Sequence, residues 1–354
     1  MPFTSRLEAC LGILRGYYEI LEAKPWRDGI LIKGVPVKAG YSPVKLYSEL
    51  SSRGCVIASR REGGLISIYL GLKRGNAHGI LALALGLIMV LTLYLSGLVF
   101  SRVEMAGKTV TWSPWEYVIG LLVPLMLHEL GHYATMRYYK VPSSFPIPLP
   151  GPPAQLGFLG TFGSIILMRW APPTAEALAL VGIAGPLIGF VAALPLAYVG
   201  LQHSLLVSLE ELGSGTVPIP FSPLVFILLM NIIGIPVDKV VVLSPLAFAS
   251  FVMFFVTFLN LLPIGQLDGG HVVRAALGQK GHSIVSRASL LILFASSIFY
   301  PQLTLFAVLA LLLYIMGGSR HPGPAFPEER LGVKGQVASI LYVALLILTL
   351  PVPS

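Results

Sequence analysis

Residues 125–136 read LMLHELGHYATM, an apolar run that holds His128, Glu129 and His132. On a helix, two histidines four residues apart share one face, and both imidazoles can reach a single metal ion. Glu129 lies about 100° further round such a helix, close enough to touch a water on that ion. H-E-x-x-H on a helix is the pattern of a zinc peptidase, with the glutamate as general base. Ionisable groups in an apolar setting are costly and mark function.

A catalytic zinc takes three protein ligands and keeps one position open. Most of the 16 acidic residues fall in polar stretches, and Glu116 and Glu176 fall at the ends of apolar runs. Besides Glu129, only Asp268 directly follows an apolar run, in NLLPIGQLDGGH at 260–271. His271 is the rival ligand. Asp268 is favoured because a carboxylate also offsets metal charge where the dielectric is low.

The elements that must position these groups follow from composition. Of 354 residues, 55% are hydrophobic and 11% charged, against about 25% charged in soluble domains. That balance predicts a polytopic α-helical membrane protein, with a lipid bilayer as its surroundings. No signal peptide is read at the N-terminus. Apolar runs at 79–100, 115–137, 176–201, 245–263, 284–300, 303–316 and 335–352 predict about six to seven transmembrane helices. The proline- and glycine-rich stretch 141–165 is still apolar and reads as a re-entrant or interfacial loop. The run 221–236 is short and bounded by prolines. It must not cross if Asp268 is to reach the side of the membrane that carries the histidines.

Residues 1–78 precede the first span and read as a small α+β soluble domain in the order helix, hairpin, helix, hairpin. Its two cysteines, Cys10 and Cys55, read as unpaired packing residues of an intracellular domain. Residues 79–114 then supply the first span and an outer loop, 115–275 the catalytic membrane core, and 276–354 the C-terminal spans. The polar segment RHPGPAFPEERLG at 320–332 reads as a plain loop. With residues 1–78 in the cytoplasm, the inner segments hold 21 basic residues and the outer loops only Arg102, Lys108 and Lys239. This agrees with the positive-inside rule for a multi-pass protein of the cell membrane whose active-site side is cytoplasmic. The net charge of +8 is spread over several loops, so nucleic acid is not an expected partner. The oligomeric state is not fixed by the sequence.

HELGH at 128–132, GIAGPLIGF at 182–190 and NLLPIGQLDGGH at 260–271 resemble, in that order, the site-2 protease family of intramembrane zinc metalloproteases. LPIGQLDGGH and the GTFG loop at 160–163 look most like its archaeal and chloroplast branch. The resemblance covers roughly 115–275. It implies a Zn2+ site of His128, His132 and Asp268, with Glu129 activating the water and transmembrane proteins as substrates. It also implies that Asn260 helps bind substrate or stabilise the reacting carbonyl. The outer loop 202–244 is too short for the PDZ module that many members carry.

Gly182, Gly185 and Gly189 read as close helix packing around the metal. Gly160, Thr161 and Gly163 are the candidate edge on which an extended substrate pairs as an added strand. A competing reading is a proton- or metal-coupled transporter using the same His/Glu/Asp groups, but no inverted repeat supports it. An inactive relative acting as a chaperone would have lost a ligand or the glutamate, and both are present.

Overall fold

The computed structural model describes residues 3–37, 41–63, 65–73, 79–105, 108–212, 218–317 and 321–353. The N-terminal part runs α1 (Phe3–Arg15), β1 (Tyr18–Trp26), β2 (Gly29–Pro36), α2 (Pro43–Ser52), β3 (Cys55–Glu62) and β4 (Leu65–Leu72). Ser42 caps α2 by accepting a hydrogen bond from the Lys45 amide. The four strands form one antiparallel sheet in the order β1-β2-β4-β3. Alternation along the strands sends Ile32, Ile57, Ile68 and Leu70 to one face. There they pack with Leu7, Cys10 and Leu14 of α1 and Leu46, Tyr47 and Leu50 of α2.

Two expectations are corrected here. Cys10 and Cys55 are joined in a disulfide. The compartment argument for free thiols gives way to packing: α1 lies across the sheet so that Cys10 meets the start of β3, with 6.7 Å between the Cα atoms. The segment 320–332 is not a plain loop. Ala325 and Phe326 are buried in the core of the N-terminal part. The Ala325 carbonyl accepts from the Ser59 amide (2.7 Å), and Ser59 Oγ donates to Glu328 Oε1 (2.8 Å). Phe326 and Ala325 supply the apolar surface that a count of polar residues in the segment hides.

The helical part follows. α3 (Gly79–Phe100) leads through the hairpin β5 (Arg102–Met105) and β6 (Lys108–Thr111) to α4 (Pro114–Tyr138). β7 (Ile147–Pro150) and β8 (Thr161–Ile165) pair as an antiparallel hairpin inside the stretch expected to be a loop. Then come α5 (Ala175–Gln202), β9 (Leu205–Val207), β10 (Phe221–Pro223), α6 (Leu224–Ile233), β11 (Val240–Val242) and α7 (Pro245–Leu261). The chain ends with α8 (Asp268–Phe299), α9 (Thr304–Gly317), α10 (Gly332–Thr349) and β12 (Pro351–Pro353). β9 pairs with β11 and β10 with β12.

Among the described residues, α3, α5, α8 and α10 are long and apolar enough to cross a membrane. α4 has 25 residues but carries the ionisable motif, and α7 has 17. α6 has ten residues, which is about 15 Å, half of a hydrocarbon core. α8 is broken at Gly278, where φ is 69° and ψ −172°. Its first ten residues therefore form a separate short helix that begins at Asp268. The main core gathers α3, α4, α5, α7, α8 and α10 around buried residues such as Leu121, Leu178, Phe190, Phe254 and Val272.

Candidate metal centre

His128 and His132 sit on the buried face of α4, 2% and 8% exposed. Asp268 begins α8, directly after the turn that follows α7. The three side chains converge. His128 Nε2 and His132 Nε2 are 3.1 Å apart, and each lies 3.2 Å from an Asp268 carboxylate oxygen. One donor atom from each residue falls within 4.8 Å of the others.

This arrangement fits a divalent ion. Bonds of about 2.0–2.1 Å in a tetrahedron imply ligand–ligand edges of about 3.3–3.4 Å, close to the three distances observed. His132 Nδ1 lies 2.7 Å from the Val181 carbonyl. A carbonyl only accepts, so Nδ1 carries the proton and Nε2 of the neutral ring presents a lone pair toward the centre. Glu129 is also buried at 6% exposure. Its carboxylate has no hydrogen-bond partner among the described residues, and it stays free to accept a proton.

α5 makes this closeness possible. A Cβ on Gly182 would come within 2.7 Å of the Asp268 carbonyl, and one on Gly189 within 2.9 Å of His128 Cβ. A Cβ on Gly185 would overlap His132 Nε2. Three glycines on one face of α5 therefore each make room for a different member of the cluster.

His271 is not a ligand in this arrangement. The Gly323 amide donates to His321 Nδ1 (3.0 Å), which leaves the His321 proton on Nε2. That proton is donated to His271 Nδ1 at 2.6 Å, so His271 keeps its own proton on Nε2. His282 donates from Nε2 to the Gly265 carbonyl (2.9 Å), and Ser286 Oγ donates to the Pro263 carbonyl (2.7 Å). These two residues pin the turn that delivers Asp268. Sequence reasoning missed His282, Ser286 and His321. Only the i, i+4 spacing of His282 and Ser286 could have hinted that both face one neighbour.

Asn260 lies half-buried in the last turn of α7, without a side-chain hydrogen bond among the described residues. Gly160 is buried against α3, and its carbonyl accepts from Thr92 Oγ1 at 2.6 Å. It seats the hairpin on α3. Thr161 Oγ1 donates within the hairpin to the Leu149 carbonyl (3.1 Å). Gly163 has φ 95° and open space beyond its α-carbon. β8 pairs with β7 on one side alone among the described strands.

A family model described as Peptidase family M50 matches residues 116–299, about half of the chain. The chain is 29% identical over 167 residues to the probable zinc metalloprotease EGY1, chloroplastic, of Oryza sativa subsp. japonica, covering 45% of this chain and 28% of that protein. The EGY1 protein of Arabidopsis thaliana gives 29% identity over 167 residues, 45% of this chain and 29% of the relative. The probable zinc metalloprotease EGY3, chloroplastic, of Oryza sativa subsp. indica gives 34% over 90 residues, 25% of this chain and 14% of the relative. The matched stretch thus spans less than a third of these relatives' length. No solved structure gives a significant match.

Proposed function

The chain belongs to peptidase family M50, and from that premise we propose that it is an intramembrane zinc metalloprotease that cuts membrane-anchored proteins within or near their transmembrane helices. The observation that carries this reading is the convergence of His128, His132 and Asp268 beside an unpaired, buried Glu129. These three residues would hold the zinc. When bound, zinc lowers the pKa of a ligated water toward ~7 and polarises a carbonyl oxygen.

The chain's own groups supply the rest. Glu129 takes the proton of the attacking water and passes it to the leaving amine as the peptide C–N bond breaks. Asn260, whose amide has no hydrogen-bond partner among the described residues, offers a donor to the scissile carbonyl. Burial of the site excludes bulk water and strengthens both interactions. A transmembrane substrate must unwind before its peptide bonds can be attacked, and the outer edge of β8 near Thr161 and Gly163 is suited to pair with the extended strand. Gly160 holds that edge against α3.

We divide the chain into 1–78, 79–114, 115–275 and 276–354, with about six to seven crossings. α3, α4, α5, α7, the second part of α8, α9 and α10 supply them, and α6 dips in without crossing. The N-terminal domain and the site then share one side of the cell membrane, the cytoplasmic side by the 21 to 3 split of basic residues.

The test is cleavage of a model transmembrane substrate in detergent by wild type, by Glu129→Gln and by wild type with a zinc chelator. Cutting by wild type alone supports the reading. Equal cutting by all three means a contaminating protease. Zinc bound equally by wild type and Asp268→Ala would remove the proposed centre.

A further inference from the structure

The N-terminal sheet covers one face with α1 and α2 and turns the other toward the membrane part. On that second face the cross-strand neighbours Leu31, Tyr69 and Ala58 form a row. They floor a cleft of about 730 Å³ whose far wall is Pro142, Leu167 and Arg169. The wall is fixed to the sheet. Trp170 stacks on Tyr69, with ring centroids 5.6 Å apart, and its Nε1 donates to the Ile57 carbonyl at 2.7 Å. Trp26, 52% exposed, stands at the hairpin tip that closes one end.

The charges of the cleft are unequal. Among the described lining residues, Arg27 and Lys73 stand on the sheet side and Arg169 on the far wall, with one carboxylate, Asp28, which accepts from Tyr69 Oη at 2.9 Å. Burial and the nearby cations Arg137 and Lys140 hold the Lys73 ammonium below its ordinary pKa. An anion placed there relieves that repulsion.

The wall also leads to the metal centre. Residues 166–169 continue β8 directly. Ile166 and Met168 pack inward on Met136, one helical turn beyond His132, and on Val181, whose carbonyl takes the His132 proton. The opposite face carries Ile165 and Leu167, 42% and 45% exposed, and then Arg169 in the cleft. A chain lying along β8 is therefore guided into the cleft by the next two residue pairs of the same extended segment.

We propose that this cleft binds the extended, acidic segment of the substrate that lies just outside its membrane span on the side of the N-terminal domain. The proposal rests on the protease reading for the identity of the peptide. The aromatic and aliphatic floor takes apolar side chains at alternate positions, and Arg27 and Lys73 pair with carboxylates between them. The N-terminal domain is then a specificity element that selects substrates by the charge of their flank.

The test has two arms on the full chain in detergent. In the first, a fluorescent ten-residue peptide rich in Glu and Leu is titrated onto Glu129→Gln protein, with a Lys/Leu peptide as control. The acidic peptide binds and the basic one does not. Arg27→Glu with Lys73→Glu weakens the acidic peptide by about tenfold or more and transfers preference to the basic one. In the second arm, acidic residues placed on the N-terminal-domain side of a model substrate lower KM while kcat holds. The same residues on the other side change nothing. Equal binding of both peptides, or a preference that survives charge reversal in a protein of unchanged Tm, overturns the assignment. Displacement of the peptide by micromolar ATP means a small-anion site and overturns it as well. Because binding needs no turnover, a chain that binds the acidic peptide yet cuts nothing overturns the protease reading and leaves the cleft assigned.

Discussion

Two histidine clusters lie within one helix of each other, and they behave oppositely. His128 and His132 turn lone pairs toward a shared point and are joined there by a carboxylate. His321 donates to His271 and accepts from the Gly323 amide, and His282 donates to the Gly265 carbonyl. Ring spacing is the same: 4.8 Å between centroids for His128–His132 and again for His271–His321. The difference lies in tautomer and charge. In the first cluster the Val181 carbonyl holds the His132 proton on Nδ1 and frees its Nε2, while His128 Nδ1 has no partner among the described residues. In the second a chain of donors consumes the lone pairs of His271 and His321, and none of the three rings is hydrogen-bonded to a carboxylate among the described residues. Proximity of imidazoles is therefore not what makes a metal site.

The sharpest way to break this comparison is to remove ligands from each cluster. His128→Ala, His132→Ala or Asp268→Ala should abolish zinc, from about one ion per chain to none, by elemental analysis of purified protein. His271→Ala and His282→Ala should keep it. Loss of zinc from His271→Ala would place that residue among the ligands. Next in size, Glu129→Gln should retain zinc and lose about 10²–10⁴-fold in turnover, which separates holding the ion from moving the proton. Gly185→Ala should follow. Its methyl group overlaps His132 Nε2, and zinc affinity should fall about 10–100-fold in a protein that stays monodisperse. His321→Ala should reduce turnover less than Gly185→Ala does, at full zinc content, because it acts on the His271 side alone. Smallest for the metal is Cys10→Ser with Cys55→Ser. It should cost the N-terminal domain about 2–4 kcal/mol in thermal or denaturant unfolding while zinc content holds.

Much of the site was legible because its signals are local. H-E-x-x-H places two imidazoles on one helical face, with a carboxylate about 100° round from the first, whatever surrounds it. Asp268 stood out because so few carboxylates border apolar runs. The glycines of α5 read correctly as packing, although only the structure pairs each with a different side chain. The elements of the N-terminal part were legible for the same reason, since strand alternation, turn residues and the Ser42 cap act within a few residues. What failed was long-range. Cys10 and Cys55 are 45 residues apart in sequence, and their union depends on how α1 crosses the sheet. Ala325 and Phe326 complete a core whose other members end at residue 72, apart from Trp170 and Ala171. No window of sequence contains both. The seating of Gly160 on α3 is likewise a contact between distant parts of the chain.

The sequence by itself determined the candidate groups of the proposed chemistry: two imidazoles and two carboxylates, carried on a chain too apolar to live outside a membrane. Those properties belong to residue types and to the 3.6-residue repeat of a helix, which need no partner. The tertiary structure decided which histidines are free to bind, that His271 is spent on His321, and that the N-terminal sheet and the extension of β8 enclose a basic cleft. Each of these depends on which proton faces which acceptor, or on surfaces brought together from distant parts of the chain.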